Sequence, residues 1–200
     1  MTFKVLMATH NRGKVAELKS LLPGLPIQVF TLADFPALSV MEETGITFLE
    51  NAVQKAKIAA EFSGYPSLAD DSGLVVDVLG GQPGVHSARF AGEPGNDQAN
   101  NLKLLRLLKG IPFSQRTARF ISVIAFVTPQ GQVYTAEGRC EGIILDKLQG
   151  TGGFGYDPLF YLSELGKTMA ELTLAEKNKI SHRGKAWREI VPFLQTIFQE

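Results

Sequence analysis

Residues 3–24, FKVLMATHNRGKVAELKSLLPG, decide the fold class. The apolar run Phe3 to Ala8 has the length of a buried strand. Gly13 to Leu22 then sets Val15, Leu18, Leu21 and Leu22 at helical spacing, and Pro23-Gly24 stops the helix. Ile27 to Thr31 follows as a second strand. Strand, loop, helix and strand in that order predict an α/β domain with the helix packed on a sheet.

The same rules extend outward. Thr47 and Glu50 form a capping-box pattern that predicts a helix to about Phe62, ended by Gly64 and Pro66. Short strands are expected at Ser67 to Ala69 and Leu74 to Leu79, either side of Asp70-Asp71-Ser72-Gly73. Gly80 to Gly95 reads as loop. Asp97 is expected to cap a helix through Leu108, with Leu102, Leu105 and Leu108 along one face. Thr117 to Thr128 and Gln132 to Leu145 flank Pro129-Gln130-Gly131 as a long antiparallel hairpin. A last helix from His182 to Phe198 should bend or break near Pro192. The sum is an α/β chain with both parallel and antiparallel strands.

Composition bounds the function. Two hundred residues suggest one domain, 1–200, and 44% apolar residues exclude a disordered chain. Twenty Lys and Arg cancel twenty Asp and Glu, which argues against a broad nucleic-acid surface but leaves room for a compact cationic site. Cys140 is the only cysteine, so an intrachain disulfide framework and a cysteine-cluster zinc site are both excluded. Val5 to Ala8 is too short for a signal-peptide core, and Phe120 to Val127 is far below a membrane span. The expectation is a cytoplasmic protein without a membrane or nucleic-acid partner. Glycine is in excess, at 20 residues.

Four stretches could carry chemistry, each with a plainer alternative. Thr9-His10-Asn11-Arg12-Gly13-Lys14 lies between strand and helix, where amides and cations suit a phosphate, or it is a polar turn. It is no P-loop, since Val15 follows the lysine. Neighbours on a strand face opposite ways, so Asp70 and Asp71 cannot share a proton; one could serve as base or cation ligand, or both could brace a turn. Gly150 to Pro158 matches G-x-G-x-x-G formally but lacks the strand before it and the helix after it. It remains a glycine loop that could present Phe154 as a stacking face, with Asp157 toward a base edge. Lys177 with Ser181-His182-Arg183-Gly184-Lys185 could grip phosphate or a base carbonyl, or form a solvated face.

Taken together and in this order, the stretches resemble the inosine/xanthosine triphosphate pyrophosphatase family almost end to end. The matching pieces are Thr9-x-Asn11-x-x-Lys14-x-x-Glu17, Glu42-Glu43-Thr44-Gly45, Ala69 to Leu74, Pro83-Gly84-x-x-Ser87-Ala88-Arg89, Gly150 to Pro158, and Ser181 to Gly184. His10 departs from the pattern, standing where the family usually has Gly. The resemblance implies a Mg2+-dependent hydrolase that cuts dITP, ITP or XTP between the α- and β-phosphates, leaving the monophosphate and pyrophosphate. It implies an elongated mixed sheet flanked by helices, two lobes with a cleft between them, and a homodimer. It further implies Asp71 as general base and metal ligand, with Glu42 as the second ligand. The segment from Thr9 through His10, Asn11, Arg12 and Gly13 to Lys14, with Lys177, would hold the triphosphate, and Ser72 would lie beside it. Phe154 and Gly155 would lie against the purine, its edge lined by Tyr156, Asp157, His182 and Arg183.

Physical chemistry agrees with that assignment. Attack of water on phosphorus needs positioning, charge neutralisation and a base rather than a covalent nucleophile. Donors at His182 and Arg183 would reward the 6-oxo group of hypoxanthine and xanthine and stay unpaired against adenine. A pyrimidine-directed pyrophosphatase of related fold should lack the Phe154 loop and the Ser-His-Arg-Gly string. A non-catalytic nucleotide-binding module should have lost an acid such as Asp71. This chain keeps all of these.

Overall fold

The computed structural model describes residues 2–9, 14–15, 27–38, 41 and 43–198. Its strands are β1 (Phe3–Met7), β2 (Ile27–Thr31), β3 (Ser67–Val76), β4 (Thr117–Val127), β5 (Val133–Ile144), β6 (Phe160–Leu162) and β7 (Lys167–Thr168). They form one mixed sheet in the order β2-β1-β3-β4-β5-β6-β7. β1 runs parallel to β2, with Val5 opposite Val29, and parallel to β3, with Leu6 opposite Ser67. β6 runs antiparallel to β5 and to β7. The flanking helices are α1 (Phe48–Ser63), α2 (Asp97–Leu107), α3 (Leu174–Ile180) and α4 (His182–Ile197).

The chain forms two compact units. The first comprises Met1–Asp71, Ser122–Gly138 and Arg183–Glu200; the second comprises Ser72–Ile121 and Arg139–His182. In the first, Val5, Met7, Leu68, Ile124 and Phe126 of the strands pack with Trp187, Ile190 and Leu194 of α4. The three α4 residues recur every three or four positions, which is one helical face. In the second, Leu74, Val76, Phe120 and Ile144 pack with Leu104 of α2 and with Tyr156, Leu159 and Phe160. Fully burying one such side chain is worth about 1.5–3 kcal/mol, so each unit has a real core of its own.

Several elements differ from expectation, each for a local reason. Asp70 to Gly73 forms no loop: Ser67–Val76 is a single ten-residue strand. Asp and Gly disfavour strands, but partners for both carboxylates override that preference. α2 is capped by Asn96, whose side chain accepts the Ala99 N–H, and not by Asp97. Its buried face is Asn101, Leu104 and Leu108, whereas Leu102 is 54% exposed. α4 continues through Pro192 instead of breaking there. The short strands β6 and β7 and the helix α3 were not foreseen. α3 opens on a capping box, with Glu176 N–H donating to Thr173 Oγ1 and Thr173 N–H donating to Glu176 Oε2. Of the helix expected at Gly13 to Leu22, Lys14 and Val15 are described, both helical, and the rest lies outside the described residues.

Candidate active site

In the first unit the site is built around the adjacent aspartates of β3. Their carboxylates have separate side-chain partners, as strand alternation requires. Asp70 is 1% exposed and hemmed in by cations. Its Oδ2 accepts Arg183 Nε at 2.8 Å and Ser122 Oγ at 2.9 Å, and Lys14 ion-pairs with Oδ1. Asp71 turns toward α1 instead. Its Oδ1 accepts Lys55 Nζ at 2.8 Å, and its Oδ2 accepts Asn51 Nδ2 at 3.3 Å. The two lysines meet at the Asp70 carbonyl, which accepts Lys14 Nζ at 3.2 Å and Lys55 Nζ at 3.1 Å.

α1 explains why Asp71 is held so firmly. Thr47 and Glu50 close the capping box that starts the helix, with Glu50 N–H donating to Thr47 Oγ1 at 3.1 Å. Asn51, Lys55 and Ala59 then fall at four-residue spacing on the buried stripe. Asn51 is fully buried, and its Oδ1 accepts the Gly45 N–H at 2.8 Å. That bond orients the amide so that its nitrogen must face Asp71. Gly45 must be glycine, because a Cβ there would fall 2.6 Å from Asn51 Oδ1 and 2.7 Å from Glu50 Cβ. Lys55 also reaches Glu43 Oε1 at 2.8 Å.

Electrostatics separates the two aspartates. Burial works against the Asp70 charge, but Arg183 and Lys14 overcome it and hold the carboxyl well below its ordinary 3.8. Burial lifts Asp71 above 3.8, although Lys55 and Lys14 pull the other way; the Glu43 charge adds to the rise. Lys55 is also penalised by burial, yet Asp71 and Glu43 keep its ammonium above the usual value. For Lys14, burial wins over Asp70 and lowers it. Asp70 is therefore held in its charged form by its ion pairs. Asp71 is the carboxylate better suited to take up a proton.

The second unit carries the glycine loop, which is organised around Asp157. That carboxylate accepts the Phe154 N–H at 2.9 Å and Lys177 Nζ at 2.8 Å, both on Oδ2. Gly153 has φ +73°, and a side chain there would collide with the Asp157 carboxylate. Lys177 Nζ also lies 4.5 Å from the centroid of the half-buried Phe154 ring, at cation–π distance. Tyr156 is buried, and its hydroxyl donates to Ser87 O at 2.8 Å. Burial, with the Asp97 charge, raises its pKa far above the ordinary phenol value.

The sequence-predicted residues are thus sorted into two groups. Lys14, Asp71 and Arg183 belong to the first unit, and Ser72, Phe154, Gly155, Tyr156, Asp157, Lys177 and His182 belong to the second. Lys177 is engaged with Asp157 and Phe154 of its own unit. Tyr156 is tied into the core, with its hydroxyl on the Ser87 carbonyl. His182 stacks on Phe120, with ring centroids 4.8 Å apart. Arg183 Nε is spent on Asp70. Thr9 follows β1 with its N–H on Met7 O. His10, Asn11, Arg12, Gly13 and Glu42 lie outside the described residues.

Sequence reasoning missed Asn51 and Lys55, and marked Glu43 only as part of the Glu42-Glu43 pair. A signal for the first two was present: polar residues four apart, in phase with the alanines of a buried helix face. Among the described residues, no three His, Cys, Asp or Glu side chains gather in one group. Yet Asp71 and Glu43 converge on a single cationic atom, Lys55 Nζ, at 2.8 Å each. Two hard oxygen donors meeting one positive charge fit a small divalent cation, which takes one or two carboxylates and keeps places for water and phosphate.

The sheet, its helices and a buried cluster of carboxylates paired with cations define an α/β protein with a concentrated charged site. The chain belongs to the Ham1 family, whose model matches residues 5–193. It is 55% identical over 195 residues to the dITP/XTP pyrophosphatase of Desulforamulus reducens, covering 98% of this chain and 97% of that protein. To the dITP/XTP pyrophosphatase of Geobacter sulfurreducens it is 54% identical over 183 residues, 92% of each. Among solved structures, a HAM1 protein from Coxiella burnetii superposes with a TM-score of 0.89 at 40% identity, covering 98% of this chain and all of that one.

Proposed function

We propose that this protein hydrolyses nonstandard purine nucleoside triphosphates (dITP, ITP and XTP) to the monophosphate and pyrophosphate, removing them from the nucleotide pool. The carrying observation is Asp71, a carboxylate pushed toward protonation by burial while Asn51 and Lys55 fix its direction. Family membership and the names of its relatives point the same way.

Asp71 takes the proton of a water attacking the α-phosphorus, and pyrophosphate departs with the anhydride electrons. Lys14 and Lys55 offset the charge that gathers on the phosphate oxygens. Mg2+, held by Asp71 with Glu43 or Glu42, would supply further charge neutralisation and orientation when bound. Asp70 does no proton transfer; it keeps Lys14 and Arg183 in place. Phe154 of the second unit offers the purine a stacking face, and His182 and Arg183 are the proposed donors to its 6-oxo group. The family resemblance also implies a homodimer, which sedimentation would test.

The test is a panel of nucleoside triphosphates with Mg2+, reading products as pyrophosphate or orthophosphate. Pyrophosphate release, fastest with dITP, ITP or XTP, is expected. Orthophosphate release would overturn the α–β cleavage. Preference for dTTP or UTP would overturn the purine assignment.

A further inference from the structure

The glycine loop is gripped from outside by one face of α2. Gly155 N–H donates to Asp97 Oδ2 at 2.6 Å, and Gly155 O accepts Asn101 Nδ2 at 2.8 Å. Both polar groups of one residue, directly after Phe154, are thereby bound to side chains four positions apart. That spacing puts Asp97 and Asn101 one above the other on the helix. Neither supplies the side-chain cap of α2. Asn96 supplies the cap, which leaves the Asp97 carboxylate for the loop.

Asn101 is 5% exposed, and its Oδ1 is buried with no hydrogen-bond partner. Swapping the amide would turn that oxygen toward the Gly155 carbonyl, so the orientation is settled by the loop. A buried acceptor without a partner lowers stability. Leucine would fill the same space at no such penalty, so the asparagine has a use other than packing. The neighbouring Asn100 shows the contrast: its Oδ1 accepts Ala91 N–H and its Nδ2 donates to Ala88 O.

We propose that Asp97 and Asn101 are positioning residues for base recognition: by clamping the Gly155 peptide they set the height and tilt of the Phe154 ring. This rests on the reading of Phe154 as the purine-stacking residue and deepens it. Within the loop, Asp157 fixes the Phe154 amide and Lys177 covers its ring, but both act from the C-terminal side of the chain. α2 supplies an independent hold.

The two products separate the two halves of the substrate, since dIMP carries the base and pyrophosphate does not. In full-length protein, Asp97→Ala and Asn101→Leu should each raise the KM for dITP and the Ki of dIMP about tenfold, as loss of one well-made hydrogen bond predicts. The Ki of pyrophosphate and kcat should stay within about threefold, the usual margin for a residue outside the chemistry. Asp97→Asn keeps an acceptor oxygen and should restore most of the dIMP affinity. Asp97 is exposed, so its variants will fold even if Asn101→Leu does not. Equal losses for both products, or an unchanged Ki of dIMP in the folded Asp97→Ala protein, would overturn the proposal. Phe154→Ala is the control: if it too leaves dIMP binding unchanged, the stacking assignment has failed and the clamp with it. If it alone weakens dIMP, only the clamp is wrong.

Discussion

The acid cluster of the first unit and the glycine loop of the second are both organised around a buried carboxylate, but they are assembled in opposite ways. Asp70 draws its partners from far along the chain: Arg183 is 113 residues away, Lys14 56 and Ser122 52. Asp157 holds the Phe154 amide three residues away and Lys177 twenty away. A site that must concentrate charge needs several elements to converge, because no single segment can place two cations and a hydroxyl around one buried carboxylate. A site that presents one ring needs mainly a bent backbone, which glycine and a side-chain staple can supply locally.

The largest expected effect tests the chemistry of the first region. Asp71→Asn should cut turnover by about 10^2–10^4-fold, the usual contribution of a general base. Nucleotide binding, measured by calorimetry, should survive. Retained turnover would remove Asp71 from the proton transfer.

Its neighbour should behave differently. Asp70→Asn leaves Lys14 and Arg183 facing a neutral amide in a buried place. Breaking such a pair costs about 3–5 kcal/mol, readable as a lower denaturant midpoint. Because the folded-state pKa of Asp70 is depressed, its contribution is present above the ordinary 3.8 and is lost as pH falls through the lower folded value. The stability gap between wild type and variant should therefore be flat near neutrality and shrink only in strong acid. A carboxyl carbon NMR titration of the metal-free protein sharpens the contrast: Asp71 should titrate above 3.8 and Asp70 below it. The reverse order would exchange their roles.

In the second region, Phe154→Ala should raise the KM by roughly 5- to 150-fold, equivalent to about 1–3 kcal/mol for one base–aromatic stack. The main loss should appear in KM rather than kcat; a loss confined to kcat would place the ring in the reaction instead. The smallest effect belongs to a part of the second unit away from the loop. Arg119 pairs with Asp77 at 2.7 Å and Glu141 at 3.2 Å, but its side chain is 30% exposed. Arg119→Ala should change stability by less than about 1 kcal/mol and leave pyrophosphate release as it was. A larger drop in melting temperature would mean that this surface network is more than a solvated pair.

Much was legible where the physics is local. Thr47 and Glu50 announced α1 because a capping box needs only four residues, and β2 was bounded correctly by its apolar run. The glycine string around Phe154 marked a bent loop for the same reason. Local rules also misled. They read Asp70 to Gly73 as a turn, since nothing nearby shows that Arg183, Lys14 and Lys55 will arrive to hold a strand straight. They made Asp97 a cap because they could not see that Gly155 would claim its carboxylate. They gave no sign that Lys177 would pair with Asp157, twenty residues away.

By itself, the sequence determined the class of fold, the family and the residue types available for chemistry. These follow from periodicity, capping patterns and motif order, all written within short windows of chain. Only the tertiary structure set the two adjacent aspartates apart electrostatically, Asp70 below and Asp71 above the ordinary carboxyl value. That difference depends on burial and on the balance of charge contributed by residues up to 113 positions apart. Solvation and Coulomb energy depend on distance in space, and no local pattern encodes it.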